Sequence, residues 1–230
     1  MTAGLDDAGG FPGADQGPLV MPSVSAADVE CLEASMLRVL FVCTGNIFRS
    51  LTADYALRHV LGAGSSTVVA SAGTEDFPHV VKPVVGGYLL ARGLDVSQHR
   101  RRTLTAEILR DSGLVIAMST EHRAVLAEYF DRRDVPLFTE ACGLAGEPLP
   151  DVDDVVPDHE TNPVAVEAHV RMTIDRIIEL TPRLAERLVL RGRDNAEIPA
   201  DGSASSQLRC RPGAKRAEAA ARLTRFRLVD

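Results

Sequence analysis

Short apolar runs alternate with helix-like patterns from Leu37 onward, and this alternation limits the chain to few folds. Apolar runs of strand length occur at residues 37–42, 67–72, 113–118 and 135–138. Helical patterns occur at residues 53–61, 83–92, 119–130 and from Asn162 onward. Strands that alternate with helices at this spacing form right-handed βαβ units around a parallel sheet. We therefore predict a single α/β domain with four parallel strands and helices on both faces.

The two ends of the chain differ in composition from this domain, which we place at residues 37–185. Residues 1–36 contain six acidic residues and no Lys or Arg, with Gly and Pro scattered among them. Residues 203–230 contain seven Lys or Arg and two acidic residues. We predict a flexible acidic leader over residues 1–36 and a basic, flexible tail over residues 186–230.

Charge and cysteine content exclude several classes of protein. The net charge of −7 argues against a nucleic-acid-binding body, and apolar runs of strand length cannot span a bilayer. The first residues lack the basic start and apolar centre of a signal peptide, so we expect a cytoplasmic location.

The four cysteines form no C-x-x-C pair, and the histidines never fall at ligand spacing from a cysteine. Neither a disulfide framework nor a zinc site is therefore expected.

The segment "VLFVCTGNIFRS" ends a predicted strand at Cys43 and places Arg49 six residues later, directly before a helix. In open α/β sheets, ligands bind beyond the carboxyl ends of the strands, where helix N-termini point. Backbone N–H groups of such a loop can converge on an anion. Gly45 permits the close approach that this needs, and the Asn46 amide can brace the loop.

These residue types also suit a nucleophile. Donors that hold a phosphate also stabilise a thiolate, so Cys43 is predicted to be reactive. The planar guanidinium of Arg49 can bind two phosphate oxygens at once, and Ser50 can donate a hydrogen bond to the sulfur. The pattern predicts the phosphate pocket of an enzyme. The alternative is a structural, buried Cys43 beside a surface Arg49.

Residues 37 to about 185 resemble the low-molecular-weight protein tyrosine phosphatases, a flavodoxin-like α/β family whose loop reads C-x-G-N-x-C-R-S-P. The segments "ASAGTEDF" (residues 70–77) and "GLDVSQHRRRTL" (residues 93–104) resemble that family's second strand and the stretch that carries its buried Ser and His. The resemblance implies hydrolysis of phosphotyrosine on proteins, or of small aryl phosphates, through a phosphocysteine. It implies no metal, no other cofactor, no nucleic acid and no membrane partner.

The resemblance also implies roles for individual residues. Cys43, Arg49 and an aspartate would carry the catalysis. The substrate would be bound by Thr44, Gly45, Asn46, Ile47, Phe48, Ser50 and Phe77, with Ile47 and Phe77 as opposite walls of the crevice. Ser71 and His99 would join Asn46 in the network that shapes the loop.

The proton donor is harder to assign, because Asp151, Asp153, Asp154 and Asp158 crowd the loop before the last helix. We predict Asp158, since "VPDH" resembles the family's Asp-Pro context. Its distance from the apolar helix face that begins at Val166 also resembles the family's. Asp154 is the second choice.

The sequence departs from the family pattern at three positions. Phe48 replaces the second loop cysteine, so a disulfide within the loop is impossible. Leu51 replaces the proline at the helix start. His159 follows Asp158 where the family carries a proline and then an aromatic residue, which makes phosphotyrosine selectivity less secure than phosphatase chemistry.

Three other functions fit parts of the pattern. An arsenate reductase of the same fold begins from a similar loop, but its thioredoxin-coupled form needs two further cysteines, and only Cys142 lies in the right half of the chain. A protein-arginine phosphatase tends to carry threonine where this chain has Ile47. A catalytically inactive module could bind phosphorylated partners through the same loop.

Overall fold

The computed structural model describes residues 37–196, with side chains to residue 190, so the predicted leader and most of the tail lie outside the described residues. A parallel sheet is formed by β1 (Arg38–Cys43), β2 (Val68–Gly73) and β3 (Leu114–Ala117), in the order β2-β1-β3. The central strand β1 is buried from Val39 to Cys43. The predicted α/β class with a parallel sheet is therefore confirmed.

Helices connect and cover these strands. They are α1 (Arg49–Leu61), α2 (Pro83–Ala91), α3 (Ala106–Arg110), α4 (Thr120–Phe130), α5 (Phe138–Ala141), α6 (Val152–Val155) and α7 (Pro163–Ala196). The three helices that the sequence did not predict, α3, α5 and α6, have only four or five residues. A single turn is too short to show a helical periodicity.

The strand predicted over residues 135–138 is reduced to one parallel bridge between Ala117 and Leu137. The Ala117 N–H donates to the Pro136 carbonyl at 3.0 Å. Pro136 has no N–H to continue the ladder, and α5 begins at Phe138. The described residues therefore form three strands, where four were predicted.

Helix α7 extends beyond the predicted domain boundary at residue 185. The helix runs to Ala196, and Leu188 is buried in the core. Residues 186–196, predicted as the start of a flexible tail, are therefore helical. The remainder of the predicted tail, residues 197–230, lies outside the described residues.

Side chains alternate across β1 into cores on both faces of the sheet. Phe41 and Cys43 pack in a cluster with Ile177 of α7, whereas Leu40 and Val42 pack in a second cluster with Leu126 of α4. Helices thus cover both faces, as predicted. This arrangement leaves Cys43 at the carboxyl end of the central strand, where parallel sheets bind ligands.

No helix in residues 37–196 is long and apolar enough to cross a membrane.

Candidate active site

The loop between β1 and α1 brings the predicted nucleophile into contact with a hydroxyl. Cys43 Sγ lies 2.9 Å from Ser50 Oγ, and both residues are buried. The Asn46 side-chain amide donates to the same Ser50 oxygen at 3.1 Å. Because a thiolate only accepts hydrogen bonds, Ser50 must be the donor when Cys43 is ionised.

Asn46 holds the loop in its shape. Its φ of 55° lies in the left-handed region, which Asn tolerates better than most residues. Its Oδ1 accepts from the Arg102 backbone N–H, and its carbonyl accepts from His99 Nε2, both at 2.9 Å. Burial lowers the pKa of His99, which keeps the ring neutral around pH 7. Asn46 and His99 therefore brace the loop together.

Ser71 supports the loop less directly than the resemblance implied. Its hydroxyl donates to Asp54 of α1 at 2.7 Å, and no hydrogen bond joins Ser71 to Asn46 among the described residues. Asp54 is buried and forms an ion pair with Arg58 at 2.6 Å. Ser71 thus ties β2 to the helix that follows the loop.

Gly73, at the end of β2, allows the loop to pass close to the sheet. A Cβ at this position would lie 2.6 Å from the Thr44 carbonyl oxygen and 3.0 Å from the Asn46 nitrogen. Both are backbone atoms that cannot move aside. Only glycine therefore fits here without a shift of the loop.

Arg49 is buried and links the loop to the segment before α6. Its guanidinium donates to the Leu149 carbonyl at 3.0 Å and to Thr44 Oγ1 at 3.1 Å, and it forms an ion pair with Asp151. Its Nε–H is buried and has no partner among the described residues. A buried donor without a partner is costly, so this N–H is available to an anion in the loop.

Asp151 is the carboxylate that the structure places on this arginine. Asp154 accepts from the Asp151 backbone N–H at 2.8 Å, and Asp158 accepts from the Asn162 amide at 2.9 Å, before α7. The sequence predicts Asp158 as the proton donor, whereas Asp151, and not Asp158, is the carboxylate in contact with Arg49. The reason is that the residues around Asp158 form the turn that leads into α7. Asn162 is a good cap for α7, and this cap could have indicated that Asp158 belongs to the turn before the helix.

The predicted crevice walls lie around Gly45. Ile47 is half-buried, and a Cβ on Gly45 would lie 3.3 Å from Ile47 and 3.2 Å from His79. The exposed Phe77 packs on His79 with ring centroids 5.6 Å apart. Ile47 and His79 therefore lie against the loop at Gly45, and Phe77 packs on the His79 ring.

Phe48 does not present its side chain to this crevice. It is buried in a cluster with Leu51, Val85 and Leu89. The aromatic ring is apolar, and α2 offers it an apolar face. The predicted substrate contact of Phe48 would therefore have to involve its backbone and not its buried side chain.

His122, which no motif in the sequence indicates, also contacts the loop. Its Nε2 lies 2.9 Å from Thr44 Oγ1. The residues around His122 form no recognisable pattern. His122 also lies 78 residues further along the chain than Thr44, so the sequence alone does not bring the two together. Among the described residues no cluster of three or more His, Cys, Asp or Glu is arranged to hold a metal ion.

Comparison with known proteins places this chain in a family. Residues 38–189 match the family model of the low molecular weight phosphotyrosine protein phosphatases. The chain belongs to this family. The protein-arginine-phosphatase of Geobacillus stearothermophilus is 30% identical over 155 residues, which is 66% of this chain and 95% of that protein. The low molecular weight protein-tyrosine-phosphatase Etp of Escherichia coli is 36% identical over 87 residues, 37% of this chain and 57% of Etp.

Solved structures agree with this membership. The low molecular weight protein tyrosine phosphatase from T. tengcongensis aligns with a TM-score of 0.54 at 30% identity, over 66% of this chain and 99% of that one. A mutant of the YwlE arginine phosphatase with a phosphorylated active-site serine aligns with a TM-score of 0.57 at 25% identity, over 66% of this chain and 96% of that one. Family members with tyrosine and with arginine phosphatase names are thus both similar to this chain.

Proposed function

We propose that this protein is a cysteine-dependent phosphatase that hydrolyses phosphotyrosine on proteins. The observation that carries the proposal is the buried Nε–H of Arg49, which has no partner within residues 37–190 and belongs to the first residue of α1, directly after the loop that begins at Cys43. A phosphate oxygen would supply the missing acceptor. The phosphorylated active-site serine in the YwlE mutant supports a covalent phosphoenzyme in a relative.

The proposed reaction has two steps. The Cys43 thiolate attacks phosphorus in line, the phosphorus–oxygen bond to the phenol breaks, and a phosphocysteine forms. Arg49 and the loop N–H groups stabilise the charge on the phosphoryl oxygens. Water then attacks the phosphocysteine and releases phosphate, while Ser50 donates to the departing thiolate sulfur.

We assign the proton donor to Asp151. Its side chain is about one-third exposed and contacts Arg49, so it lies next to the position proposed for the phosphate. A bound phosphate competes with Asp151 for Arg49, which leaves the carboxyl group free to protonate the phenolic oxygen. In the second step the same group accepts a proton from the attacking water.

Substrate choice rests on the residues that flank Gly45. Ile47 and Phe77 offer apolar surface to an aromatic ring, which favours phosphotyrosine. The similarity to arginine phosphatases makes phosphoarginine the second candidate. Arsenate reduction is less favoured, because Cys142 is buried and burial raises the pKa of its thiol to about 11, which makes it a poor resolving nucleophile.

A substrate panel tests the proposal. We expect the wild-type chain to hydrolyse a phosphotyrosine peptide with a higher kcat/KM than a phosphoarginine peptide, and not to reduce arsenate. In Ile47→Thr, the ratio of the two kcat/KM values should shift toward phosphoarginine by about tenfold, the effect of losing one apolar contact. Phosphopeptide binding without hydrolysis would instead support an inactive binding module.

Phe48 leads to a prediction about oxidation. Because Phe48 replaces the loop cysteine, the loop has no second thiol to form a disulfide with oxidised Cys43, and Cys142 in the same core cluster is a poor nucleophile, since burial raises the pKa of its thiol to about 11. Peroxide should therefore convert Cys43 to irreversible oxidation states, and most activity should stay lost after a thiol reductant is added. A relative whose loop has both cysteines serves as the control and should recover. Full recovery in this protein would show that another cysteine reaches the site.

A further inference from the structure

His122 lies in the first turn of α4, next to the loop between β1 and α1, and is almost completely buried. Its Nδ1 lies 3.1 Å from the Ser119 backbone nitrogen and 2.8 Å from Ser119 Oγ. Its Nε2 lies 2.9 Å from Thr44 Oγ1. Both ring nitrogens thus have partners, which fixes the orientation of the ring.

These contacts determine where the ring carries its proton. A backbone N–H can only donate, so Nδ1, which faces the Ser119 N–H, must be the acceptor. Burial, and then the charge of Arg49, lower the pKa of His122 to about 4, so the ring is neutral around pH 7. A neutral ring without a proton on Nδ1 carries it on Nε2. His122 therefore donates to Thr44.

Thr44 accepts a second hydrogen bond, from Arg49 at 3.1 Å. A hydroxyl has two acceptor positions and one hydrogen of its own. With His122 and Arg49 in both acceptor positions, the Thr44 hydrogen must point to a third partner. In the part of the chain that the structure describes, Thr44 Oγ1 has no third protein partner. Thr44 directly follows Cys43, so a phosphate in the loop would be within reach of this hydrogen.

We propose that His122 is a positioning residue that orients the Thr44 hydroxyl, together with Arg49, as a donor to the bound phosphate. This inference rests on the proposed phosphate site. Without His122, the Thr44 hydroxyl is free to rotate and can donate to another acceptor. The phosphate then loses one preorganised donor, and Arg49 loses a neighbour that restricts its side chain.

Binding of inorganic phosphate to the full chain, measured by calorimetry, tests the inference without any need for turnover. Thr44→Val removes the hydroxyl at nearly constant volume and should weaken phosphate binding about tenfold to a hundredfold, as expected for a hydrogen bond to a charged group. Thr44→Ser keeps the hydroxyl and should restore most of the affinity. His122→Gln should weaken binding by about tenfold, and exposed His59→Gln is the matched control with no expected effect.

The double variant decides between positioning and general stabilisation. If His122 acts through Thr44, His122→Gln should cause no further loss in the Thr44→Val background. An equal loss in both backgrounds, or no loss in either, would overturn the inference. Nitrogen-15 NMR of the wild-type chain gives a second readout that needs no variant. A proton on Nε2 of His122 is expected, and a proton on Nδ1 would overturn the inference. Phosphate binding without hydrolysis of any substrate would refute the proposed enzyme but not this positioning role.

Discussion

Replacing Cys43 by serine is expected to lower kcat for a small aryl phosphate by at least about 10⁴-fold, because the nucleophile and its site act as a unit. Serine is close to cysteine in size, and its hydroxyl can keep the contact that the thiol makes with Ser50. A serine hydroxyl is a much weaker nucleophile and a poorer leaving group than a thiolate. Steady-state hydrolysis of p-nitrophenyl phosphate measures the loss, and the thermal unfolding temperature shows whether the fold is kept.

A second buried cysteine provides the control for this variant. Cys142 lies in the core cluster with Ile177 and Leu184, and the proposed mechanism does not use it. Cys142→Ala should cost some stability through the cavity that it leaves, while kcat stays close to the wild-type value. If Cys43→Ser retained measurable turnover above the level of a contaminant, Cys43 would not be the nucleophile.

Replacing Asp151 by asparagine is expected to slow phenyl phosphate hydrolysis by about 10² to 10⁴-fold, the usual contribution of a positioned general acid. The loss should be much smaller for p-nitrophenyl phosphate, because its leaving group departs without a proton. The variant should also flatten the basic limb of the pH profile, since that limb reports the acid in its protonated form. The ratio of kcat/KM values for the two esters, measured across pH, separates this effect from a general disturbance of Arg49.

Two neighbouring aspartates serve as matched controls. Asp158→Asn keeps an acceptor for Asn162, and Asp154→Asn keeps one for the Asp151 backbone N–H. Both variants should therefore retain a leaving-group ratio near that of the wild type. If Asp158→Asn shows the selective loss and Asp151→Asn does not, the proton donor is Asp158, as the sequence pattern first suggested.

The parts of the site that lie close together in sequence were predictable. Cys43, Asn46, Arg49 and Ser50 lie within a single strand–loop–helix unit, and their hydrogen bonds follow from that local geometry. His99 lies far along the chain, and only the family resemblance pointed to it. The strands β1, β2 and β3 were predictable because each is a mostly apolar run of strand length, and most of their residues are buried in the structure.

The features that the sequence did not indicate depend on contacts between distant segments. Asp151 and Asp158 differ little in sequence context, and only the fold shows that Asp151 meets Arg49 while Asp158 lies near the start of α7. The role of His122 likewise depends on how α4 packs behind Thr44. The predicted fourth strand failed because Pro136 interrupts the ladder just before α5 begins.

Direct detection of the covalent intermediate tests the central claim, that Cys43 attacks phosphorus. Wild-type enzyme would be mixed with an excess of aryl phosphate and quenched in acid within the first turnovers, and the digested peptides would be analysed by mass spectrometry. With an activated ester, Asp151→Asn is expected to slow the breakdown of the phosphocysteine more than its formation. This variant should therefore accumulate more intermediate than the wild type. The account predicts one phosphoryl group on the peptide that contains Cys43, bound to sulfur and labile to further incubation. Turnover with no phosphorylated Cys43 peptide in either protein, or a phosphoryl group on another residue, would contradict it.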